Sequence, residues 1–476
     1  MTDLRDCQPI HIVGIGGIGM SAIAEVLHSR GIHVRGSDLK DSVNTRRLAE
    51  KSIEVAIGHR AENVEGAGLV VLSSAVKETN PELIAARAAG RTVWCRAEML
   101  ARLMEDYRTV SVTGTHGKTT TTSMIAWIFE QAGMDPTVIT GGIVNNWGTN
   151  ARIGEGEWFI VEADESDETF VKLPTHIGVV TNIDPEHLDF YGSVEAMHDA
   201  YKRFFAGIRP GGAVVAGIDH PVVREFSANA TLSEGSRILR YGVAGDADLR
   251  LAAVRSNGAA LHADAVLGGA VRGGARRLDD LTLAVPGHYN ALNAMAAMAV
   301  AAEAGIPDDA IRAALATFPG VKRRFTQTGI WNGVSIYDDY AHHPIEISAV
   351  LQAAHGATKG RVIAIVQPHR YSRLKSLFPE FCDCFSNSDT LIVTPVYSAG
   401  EEPNGIDRDT LVDGVKMRGH RQVLAVDGED QLTNLVASIA KPGDLVIGMG
   451  AGTITEWTNA LPGKLGKLGP RLDAAE

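Results

Sequence analysis

The 476-residue chain carries 45 Lys and Arg against 57 Asp and Glu, for a formal net charge of −12, and 45% of its residues are hydrophobic. A chain of this length exceeds one hydrophobic core and favours about two to four domains, while its acidic balance argues against a nucleic-acid-binding surface. Its four cysteines are too few for a disulfide framework, and no apolar run could span a bilayer. We therefore expect free thiols and a cytoplasmic location.

Short apolar runs alternate with helical patterns over the first hundred residues. Strands are predicted at 10–13, 33–37 and 69–73, with a helix at 21–29, and this βαβ rhythm predicts a parallel, doubly wound sheet. The loop Gly14-Ile15-Gly16-Gly17-Ile18-Gly19 follows the first strand, where glycines let backbone N–H groups approach phosphate oxygens. Because Asp38 follows at about the spacing of the NAD fingerprint, both NAD and another nucleotide stay open as ligands.

The rhythm restarts near Tyr107 with a second glycine-rich loop of different chemistry. The segment Gly114-Thr115-His116-Gly117-Lys118-Thr119 is shorter than the usual P-loop, because only two residues separate its glycines. Lys118 supplies a cation for terminal phosphates, and the hydroxyl of Thr119 can contact magnesium. The chain therefore holds one loop for a nucleotide that it binds and one for a nucleoside triphosphate that it consumes.

Polar residues follow two strands predicted at 158–162 and 177–181. The acidic run Glu162-Ala163-Asp164-Glu165-Ser166-Asp167 comes after the first, and a segment that ends in His187 comes after the second. Since the carboxyl ends of parallel strands meet at one edge of a sheet, we expect these groups to lie near the phosphate loop. Carboxylates with an imidazole suit magnesium, whereas a solvated turn is the alternative for the acidic run.

The second half of the chain begins with an Ala/Gly-rich stretch of irregular sequence at 252–277, predicted as a small β excursion, and an alanine-rich helix at 290–304. A third α/β set follows, with strands near 334–337, 362–366, 390–393 and 444–447 and a frayed tail at 461–476. Aspartates and histidines follow its first strand, with helix capping as the alternative role. Arg370 and Arg373 are predicted to share one helical face and to grip a carboxylate.

Taken together, these segments resemble the Mur ligases of peptidoglycan synthesis from residue 10 to about residue 453. The segments that carry the resemblance are 11–21, 113–120, 162–167, 338–344 and 367–371. The resemblance implies three α/β domains. They are a Rossmann-like domain for a UDP-sugar at 1–107, a central P-loop ATPase-type domain with a parallel sheet at 108–326, and a Rossmann-like C-terminal domain at 327–476. The shortened phosphate loop is this family's form.

The resemblance also implies the activity. The lactyl carboxylate of UDP-N-acetylmuramate would be joined to L-alanine through an acyl phosphate, with ATP going to ADP and phosphate. ATP and Mg²⁺ are the implied cofactors, no nucleic acid or membrane insertion is expected, and monomer and homodimer stay open. Three alternatives remain: a recycling ligase that adds a whole peptide to the same sugar nucleotide, an NAD-dependent oxidoreductase, and a regulator that only binds UDP-sugars.

The site residues that the resemblance implies fall into groups by ligand. Those for the sugar nucleotide are Gly16, Gly17, Ile18, Gly19, Asp38, Ser73 and Ser74. Those for ATP are Gly114, Thr115, His116, Gly117, Lys118, Thr119, Thr120, Asn290, Asn293, Arg324 and Asp339. The metal ligands are Thr119, Glu162 and His187, and L-alanine and the reacting carboxylate take Tyr340, His342, Arg370 and Arg373. The catalytic set is Lys118, Glu162, His187, His342 and Arg370.

Two positions depart from the family pattern. Tyr289 stands where the family usually has a histidine, so the adenine contact there is open. Lys202 is a candidate for the carbamylated lysine of several relatives, but alanine-adding members lack it and we give it no role. Because the implied catalytic residues come from the central and third domains, we expect closure about a hinge near 320–328.

Overall fold

The protein contains three β-sheets flanked by helices. Its structure is a computed structural model, which describes residues 3–257 and 260–468. The chain forms two compact units. The first runs to Ala252 and includes Ala265–Leu278 and Asn293–Leu315, and the second contains Ala253–Asp264, Asp279–Leu292 and the chain from Ala316 onward. Within the described part of the chain, no helix is long and apolar enough to cross a bilayer.

The N-terminal sheet is built from short apolar strands that alternate with helices. Its strands are β1 (Ile10–Val13), β2 (Val34–Asp38), β3 (Glu54–Ile57), β4 (Leu69–Leu72) and β5 (Thr92–Cys95). Its helices are α1 (Ile18–Ser29), α2 (Val43–Glu50), α3 (Pro81–Ala88) and α4 (Arg96–Met104). The order is β3-β2-β1-β4-β5 and every neighbouring pair is parallel, which confirms the predicted doubly wound sheet. All the loops that follow these strands therefore open at one edge.

The central sheet has ten strands. They are β6 (Arg108–Thr113), β7 (Thr137–Val144), β8 (Thr149–Arg152), β9 (Trp158–Glu162), β10 (Ile177–Val180), β11 (Ala213–Gly217), β12 (Arg237–Gly242), β13 (Leu249–Asn257), β14 (Ala260–Leu267) and β15 (Arg276–Leu283). Their order is β15-β14-β13-β12-β11-β10-β6-β9-β7-β8. The pairs from β12 to β7 are parallel as predicted, but β8 pairs antiparallel with β7, so the sheet is mixed.

The helices of this region are α5 (Lys118–Gln131), α6 (Thr169–Lys172), α7 (Leu188–Tyr191), α8 (Val194–Ala206), α9 (Pro221–Asn229), α10 (His288–Ala304) and α11 (Asp308–Ala316). The predicted β excursion at 252–277 is confirmed, and it consists of the regular strands β13 and β14 and the start of β15. Leu261, Ala263, Ala265 and Leu267 are buried at every second position of β14. Two of these four residues are alanines, which are weak strand formers, so residue type alone does not reveal the alternation.

The third sheet has the order β16-β17-β21-β18-β19-β20. Its strands are β16 (Thr326–Trp331), β17 (Val334–Asp339), β18 (Val362–Val366), β19 (Thr390–Val393), β20 (Val423–Ala425) and β21 (Leu445–Met449). Its helices are α12 (Pro344–Ala357), α13 (Tyr371–Ser376), α14 (Phe378–Asp383), α15 (Arg408–Met417), α16 (Glu429–Ile439) and α17 (Ile454–Lys467). Only β16 runs antiparallel to its neighbour, so the predicted Rossmann-like character is confirmed.

The prediction of a frayed tail is wrong for 461–467, which belongs to α17. Ile454, Thr458, Leu461 and Leu465 are all buried, and their spacing puts them on one face of the helix. That buried face holds the helix together even though Pro462 interrupts its hydrogen bonds. Residues 469–476 lie outside the described residues. The predicted domain boundary at 107 falls between two sheets and the one at 326 falls on the first residue of β16, and both stay predictions.

A buried carboxylate, that of Glu82 in α3, links strands β1 and β2 of the N-terminal sheet by hydrogen bonds. It accepts hydrogen bonds from His11 Nε2 at 3.0 Å, from Ser37 Oγ at 2.6 Å and from Asn63 Nδ2 at 2.5 Å. Burial alone would raise the pKa of Glu82, but the hydrogen bonds from these three residues outweigh it and lower the pKa to about 2. The carboxylate therefore stabilises the folded state in its charged form.

We expect Glu82→Gln to lower the free energy of unfolding by about 3 kcal/mol near neutral pH, the value that follows from this pKa shift. The stabilisation is fully present above the unfolded-state pKa of about 4.5 and is lost as the pH falls toward about 2. Urea unfolding should therefore show a difference between wild type and variant that narrows in acid. Glu78→Gln, at an exposed carboxylate, is the control. A difference that stays constant down to about pH 3 would contradict the assignment.

Candidate functional site

The phosphate loop lies between β6 and α5 and is held by the segment that follows β10. The N–H of His116 donates to Asn182 Oδ1 at 2.7 Å, and the N–H of Thr115 donates to the backbone carbonyl of Asn182 at 3.1 Å. Gly117 has φ +85°, and a Cβ there would lie 2.7 Å from Oδ1 of Asn293. Two of the predicted ATP residues, Gly117 and Asn293, therefore meet, and only glycine fits this turn.

Lys118 begins α5 and its ammonium group is enclosed by the loop. Nζ donates to the carbonyls of Gly114 at 2.6 Å and Thr115 at 3.1 Å and to Glu165 Oε1 at 2.8 Å. Burial alone would lower the pKa of Lys118, but the charges of Glu165 and Asp164 keep it above its ordinary value. A largely enclosed cation thus lies at the N-terminus of a 14-residue helix, an arrangement suited to phosphate oxygens.

Glu162 ends β9 and faces the first turn of α5. Its Oε1 accepts from Thr119 Oγ1 at 3.0 Å, and its Oε2 accepts from Thr140 Oγ1 at 3.2 Å and from the N–H of Gly141 at 2.6 Å. The next residue of α5, Thr120, is buried beside Thr119. The structure thus brings together two of the three predicted metal ligands, Thr119 and Glu162, as hard oxygen donors.

His187 lies in a separate group with Glu165 and Glu186. One ligand atom from each of the three lies within 4.8 Å of the others, and His187 Nε2 is 3.6 Å from Glu165 Oε1. Burial alone would lower the pKa of His187, but the contact with Glu165 raises it. Among the described residues, buried Oε2 of Glu165 has no hydrogen-bond partner. Glu165, which was not among the predicted site residues, therefore links Lys118 to this group.

The first glycine-rich loop lies between β1 and α1, next to the end of β4. The N–H of Gly16 donates to Asp38 Oδ2 at 2.9 Å, and a Cβ on Gly14 would lie 3.0 Å from that of Ser73. Asp38 and Ser73 therefore both border the loop, and Asp38 engages one of the N–H groups that we expected to meet a diphosphate. Beyond it lie the N-cap Gly17, the first-turn residues Ile18 and Gly19, and the exposed Ser74.

Arg96 is a cation near the first glycine-rich loop that the sequence reading missed. It follows β5, and a Cβ on Gly19 would lie 3.0 Å from its Nη1. Its Nη2 lies 3.5 Å from Asp164 Oδ2 and 3.4 Å from Asp167 Oδ2, in the acidic run after β9. Residues that follow parallel strands meet at the edge of the sheet where ligands bind, and we call this the strand-end rule. The rule would have found Arg96, but the strand at 92–95 was not predicted.

In the third domain, Asp339 ends β17 as a buried carboxylate. It accepts hydrogen bonds from the backbone N–H groups of Phe325 and Ala341, both at 2.7 Å. Burial raises the pKa of Asp339 to about 6. The guanidinium of Arg324 lies 5.3 Å from the ring centroid of Tyr340, so the predicted ribose, phosphate and amino-acid residues are neighbours in this unit.

Rings and arginines gather where β17 and β18 end. The ring centroid of His342 lies 5.1 Å from that of Tyr340 and 5.6 Å from that of His369, and Arg373 Nη1 donates to His369 Nδ1 at 3.1 Å. The prediction that Arg370 and Arg373 share a helical face is wrong. Arg370 is the N-cap residue, with φ +68°, and α13 begins only after it. The two side chains thus start from different backbone conformations.

The structure also shows the contacts of three further residues that the sequence analysis named. Asn290 donates from Nδ2 to the carbonyl of Pro286 at 2.6 Å. Tyr289 packs against the apolar core of the third domain, and burial raises its pKa. Lys202 is exposed and pairs with Asp199 at 3.0 Å.

Comparison with known proteins gives matches along nearly the whole chain. The models described as "Mur ligase family, catalytic domain", "Mur ligase middle domain" and "Mur ligase, glutamate ligase domain" match residues 9–108, 112–301 and 323–452. The UDP-N-acetylmuramate–L-alanine ligase of Methylorubrum extorquens is 55% identical over 461 residues, which cover 97% of this chain and 98% of that protein.

Two solved structures share the fold. The UDP-N-acetylmuramate–alanine ligase MurC of Thermotoga maritima superposes with a TM-score of 0.80 at 28% identity, covering 96% of this chain and 99% of that one. A murein peptide ligase of Psychrobacter arcticus reaches a TM-score of 0.67 at 22% identity, covering 96% and 98%.

Proposed function

The chain belongs to the Mur ligase family, and we propose that it joins L-alanine to the lactyl carboxylate of UDP-N-acetylmuramate in peptidoglycan synthesis, with ATP going to ADP and phosphate. The observation that carries this proposal is the enclosed ammonium of Lys118 at the start of α5, beside Glu162 and Glu165. A protein that only binds a sugar nucleotide has no need of such a phosphoryl-transfer group. The reaction's cytoplasmic location is part of the same proposal.

The chemistry needs an activated carboxylate, because a free carboxylate is a poor acyl donor. A lactyl carboxylate oxygen attacks the γ-phosphorus of ATP, the bond to the β–γ bridging oxygen breaks, and ADP leaves. The amine of L-alanine then attacks the acyl phosphate, and the tetrahedral intermediate expels phosphate and loses a proton to give the amide. Lys118 would leave Glu165 and neutralise charge on the β- and γ-phosphates.

Thr119 and Glu162 would hold the magnesium ion. Their oxygens already lie 3.0 Å apart at the end of β9, and oxygen donors are the ligands that this ion prefers. When bound, the ion neutralises phosphate charge and orients the transferred group. His187 would contribute a metal ligand from the group that it forms with Glu165 and Glu186. The buried Oε2 of Glu165, which has no hydrogen-bond partner among the described residues, offers a further ligand atom.

The third domain would bind L-alanine and part of the ATP molecule. Asp339 would bind the ribose of ATP and Arg324 its phosphates. The carboxylate of L-alanine would be gripped by Arg370 and Arg373, since guanidinium groups pair with carboxylates through two parallel hydrogen bonds. His342 lies beside Tyr340 and beside His369, the partner of Arg373, and this placement supports a role for Tyr340 and His342 near the incoming amine.

Arg96 would bind the diphosphate of the sugar nucleotide, for which the first glycine-rich loop itself has no cation. We expect Arg96→Ala to raise the dissociation constant for UDP-N-acetylmuramate about 10- to 100-fold, the loss of a charge-assisted hydrogen bond, with little change for ATP. Isothermal titration calorimetry with each ligand measures both. Arg102→Ala, on the same helix and paired with Asp106, is the matched control. Equal losses for both nucleotides would show that Arg96 has a structural role.

The decisive experiment measures phosphate release and amide product with UDP-N-acetylmuramate and ATP. L-alanine, L-serine, glycine and the tripeptide L-Ala-γ-D-Glu-diaminopimelate are compared in turn. We expect L-alanine to give the highest kcat/KM and the tripeptide to give no product. Turnover with the tripeptide alone would favour the recycling ligase. A change in nicotinamide absorbance without phosphate release would overturn the proposal altogether.

A further inference from the structure

Tyr397, in the loop after β19, is fixed to two residues of the proposed amino-acid site. Its ring stacks on that of His369, with centroids 5.5 Å apart and an interplanar angle of 14°. Its N–H donates to the carbonyl of Pro368 at 2.8 Å, and its carbonyl accepts from the N–H of Arg370 at 2.8 Å. One residue therefore positions the His369 ring through its side chain and the Arg370 backbone through its main chain.

The Tyr397 side chain also lies close to the backbone of Gly452. A Cβ on Gly452 would lie 2.5 Å from Cγ of Tyr397 and 2.5 Å from Oε1 of Gln367, so the absence of a side chain allows this approach. The loop is also held on α13, because Glu401 accepts from the N–H of Ser372 at 2.9 Å and from its hydroxyl at 2.6 Å. Even so, Tyr397 is 37% exposed. An aromatic ring that is fixed by its neighbours and yet partly exposed can contact a ligand.

The ring extends a line of aromatic groups. Tyr340, His342, His369 and Tyr397 follow one another with centroids 5.1, 5.6 and 5.5 Å apart. Arg373 donates to the third ring, and burial together with nearby cations lowers the pKa of His369 to about 4, so this imidazole is neutral and accepts the hydrogen bond. Arg373 therefore contacts the His369 imidazole at Nδ1, and the Tyr397 ring stacks on the same imidazole.

From this geometry we propose that Tyr397 is a specificity-determining residue, which closes the side-chain end of the amino-acid site and restricts it to small side chains such as that of L-alanine. The inference rests on the proposed function, because it concerns the amino acid that the ligase accepts. A rigid aromatic wall discriminates by excluded volume, and each methylene excluded is worth about 10- to 200-fold in kcat/KM.

The test compares kcat and KM for L-alanine, L-serine, L-valine and L-leucine in wild type, Tyr397→Ala and Tyr397→Phe. We expect Tyr397→Ala to raise the kcat/KM ratio of L-valine to L-alanine at least about 10-fold, with KM for ATP and UDP-N-acetylmuramate nearly unchanged. Tyr397→Phe keeps the ring and should keep the selectivity. Gly452→Ala displaces the ring and should change the ratio as well. Ile330→Ala, an exposed position of the same domain, is the control.

Unchanged ratios in Tyr397→Ala and Gly452→Ala, with wild-type circular dichroism, would overturn the inference. If Tyr397→Ala does not fold, Tyr397→Leu removes the flat ring while retaining apolar volume, and its ratio decides the question in the same way. Failure of the proposed function gives a different result, because wild-type enzyme would then make no amide from L-alanine at all.

Discussion

Replacement of Lys118 by alanine should abolish ligation while UDP-N-acetylmuramate still binds. The ammonium group is the only Lys118 feature that can neutralise β- and γ-phosphate charge, and removal of such a group costs on the order of 10³-fold in turnover. The first glycine-rich loop, with Asp38 and Ser73, belongs to a different sheet and does not depend on this side chain. Phosphate release measures the first effect, and calorimetric titration with the sugar nucleotide measures the second.

Lys202→Ala is the matched control in the same domain. Lys202 is exposed and pairs only weakly with Asp199 on the surface, so its loss should leave turnover within about twofold of wild type. A large loss in Lys202→Ala would instead indicate a functional lysine, as in the carbamylated relatives. A Lys118→Ala protein that hydrolyses ATP normally but no longer binds the sugar nucleotide would contradict the assignment of the two loops.

Much of this fold is readable from the sequence, because each strand of the parallel sheets is a short apolar run that ends in glycine or polar residues. β1, β9, β18 and β19 have the predicted bounds. The reading did not find individual elements where burial depends on small residues or on distant packing. Two of the four residues on the buried face of β14 are alanines, and α17 continues past Pro462 because Leu461 and Leu465 pack against the sheet. Neither contact is visible in local residue preferences.

The candidate site was predictable in its parts but not in its pairings. The strand-end rule predicts that Glu162 and His187 lie near the phosphate loop at one edge of the sheet. Glu162 does contact Thr119, and His187 lies in a group with Glu165 and Glu186. The rule could not tell which carboxylate faces which partner, because Glu162 and Glu165 belong to one short run and only the backbone path after β9 separates them. Arg96 and Tyr397 were missed for a related reason: each is singled out by a contact with a residue far away in sequence.

Glu162→Gln should reduce magnesium-dependent turnover on the order of 100-fold and leave ATP docking within about tenfold. The amide keeps the shape and one oxygen, so Thr119, Thr140 and Gly141 can retain partners, but it removes the negative charge that a hard cation prefers. The dependence of kcat on magnesium concentration measures the first effect. Manganese binding, followed by electron paramagnetic resonance, reports metal affinity without any turnover.

Glu165→Gln separates the two carboxylates after β9. Glu165 contacts Lys118 at 2.8 Å, so its replacement removes the anion that balances this buried ammonium group before ATP arrives. We therefore expect Glu165→Gln to bind ATP at least as well as wild type, because Lys118 no longer has to leave a carboxylate, and to lose less manganese affinity than Glu162→Gln. A near-normal rate in Glu162→Gln together with an inactive Glu165→Gln would reverse the assignment. The ion would then belong with Glu165, Glu186 and His187 rather than with Thr119 and Glu162.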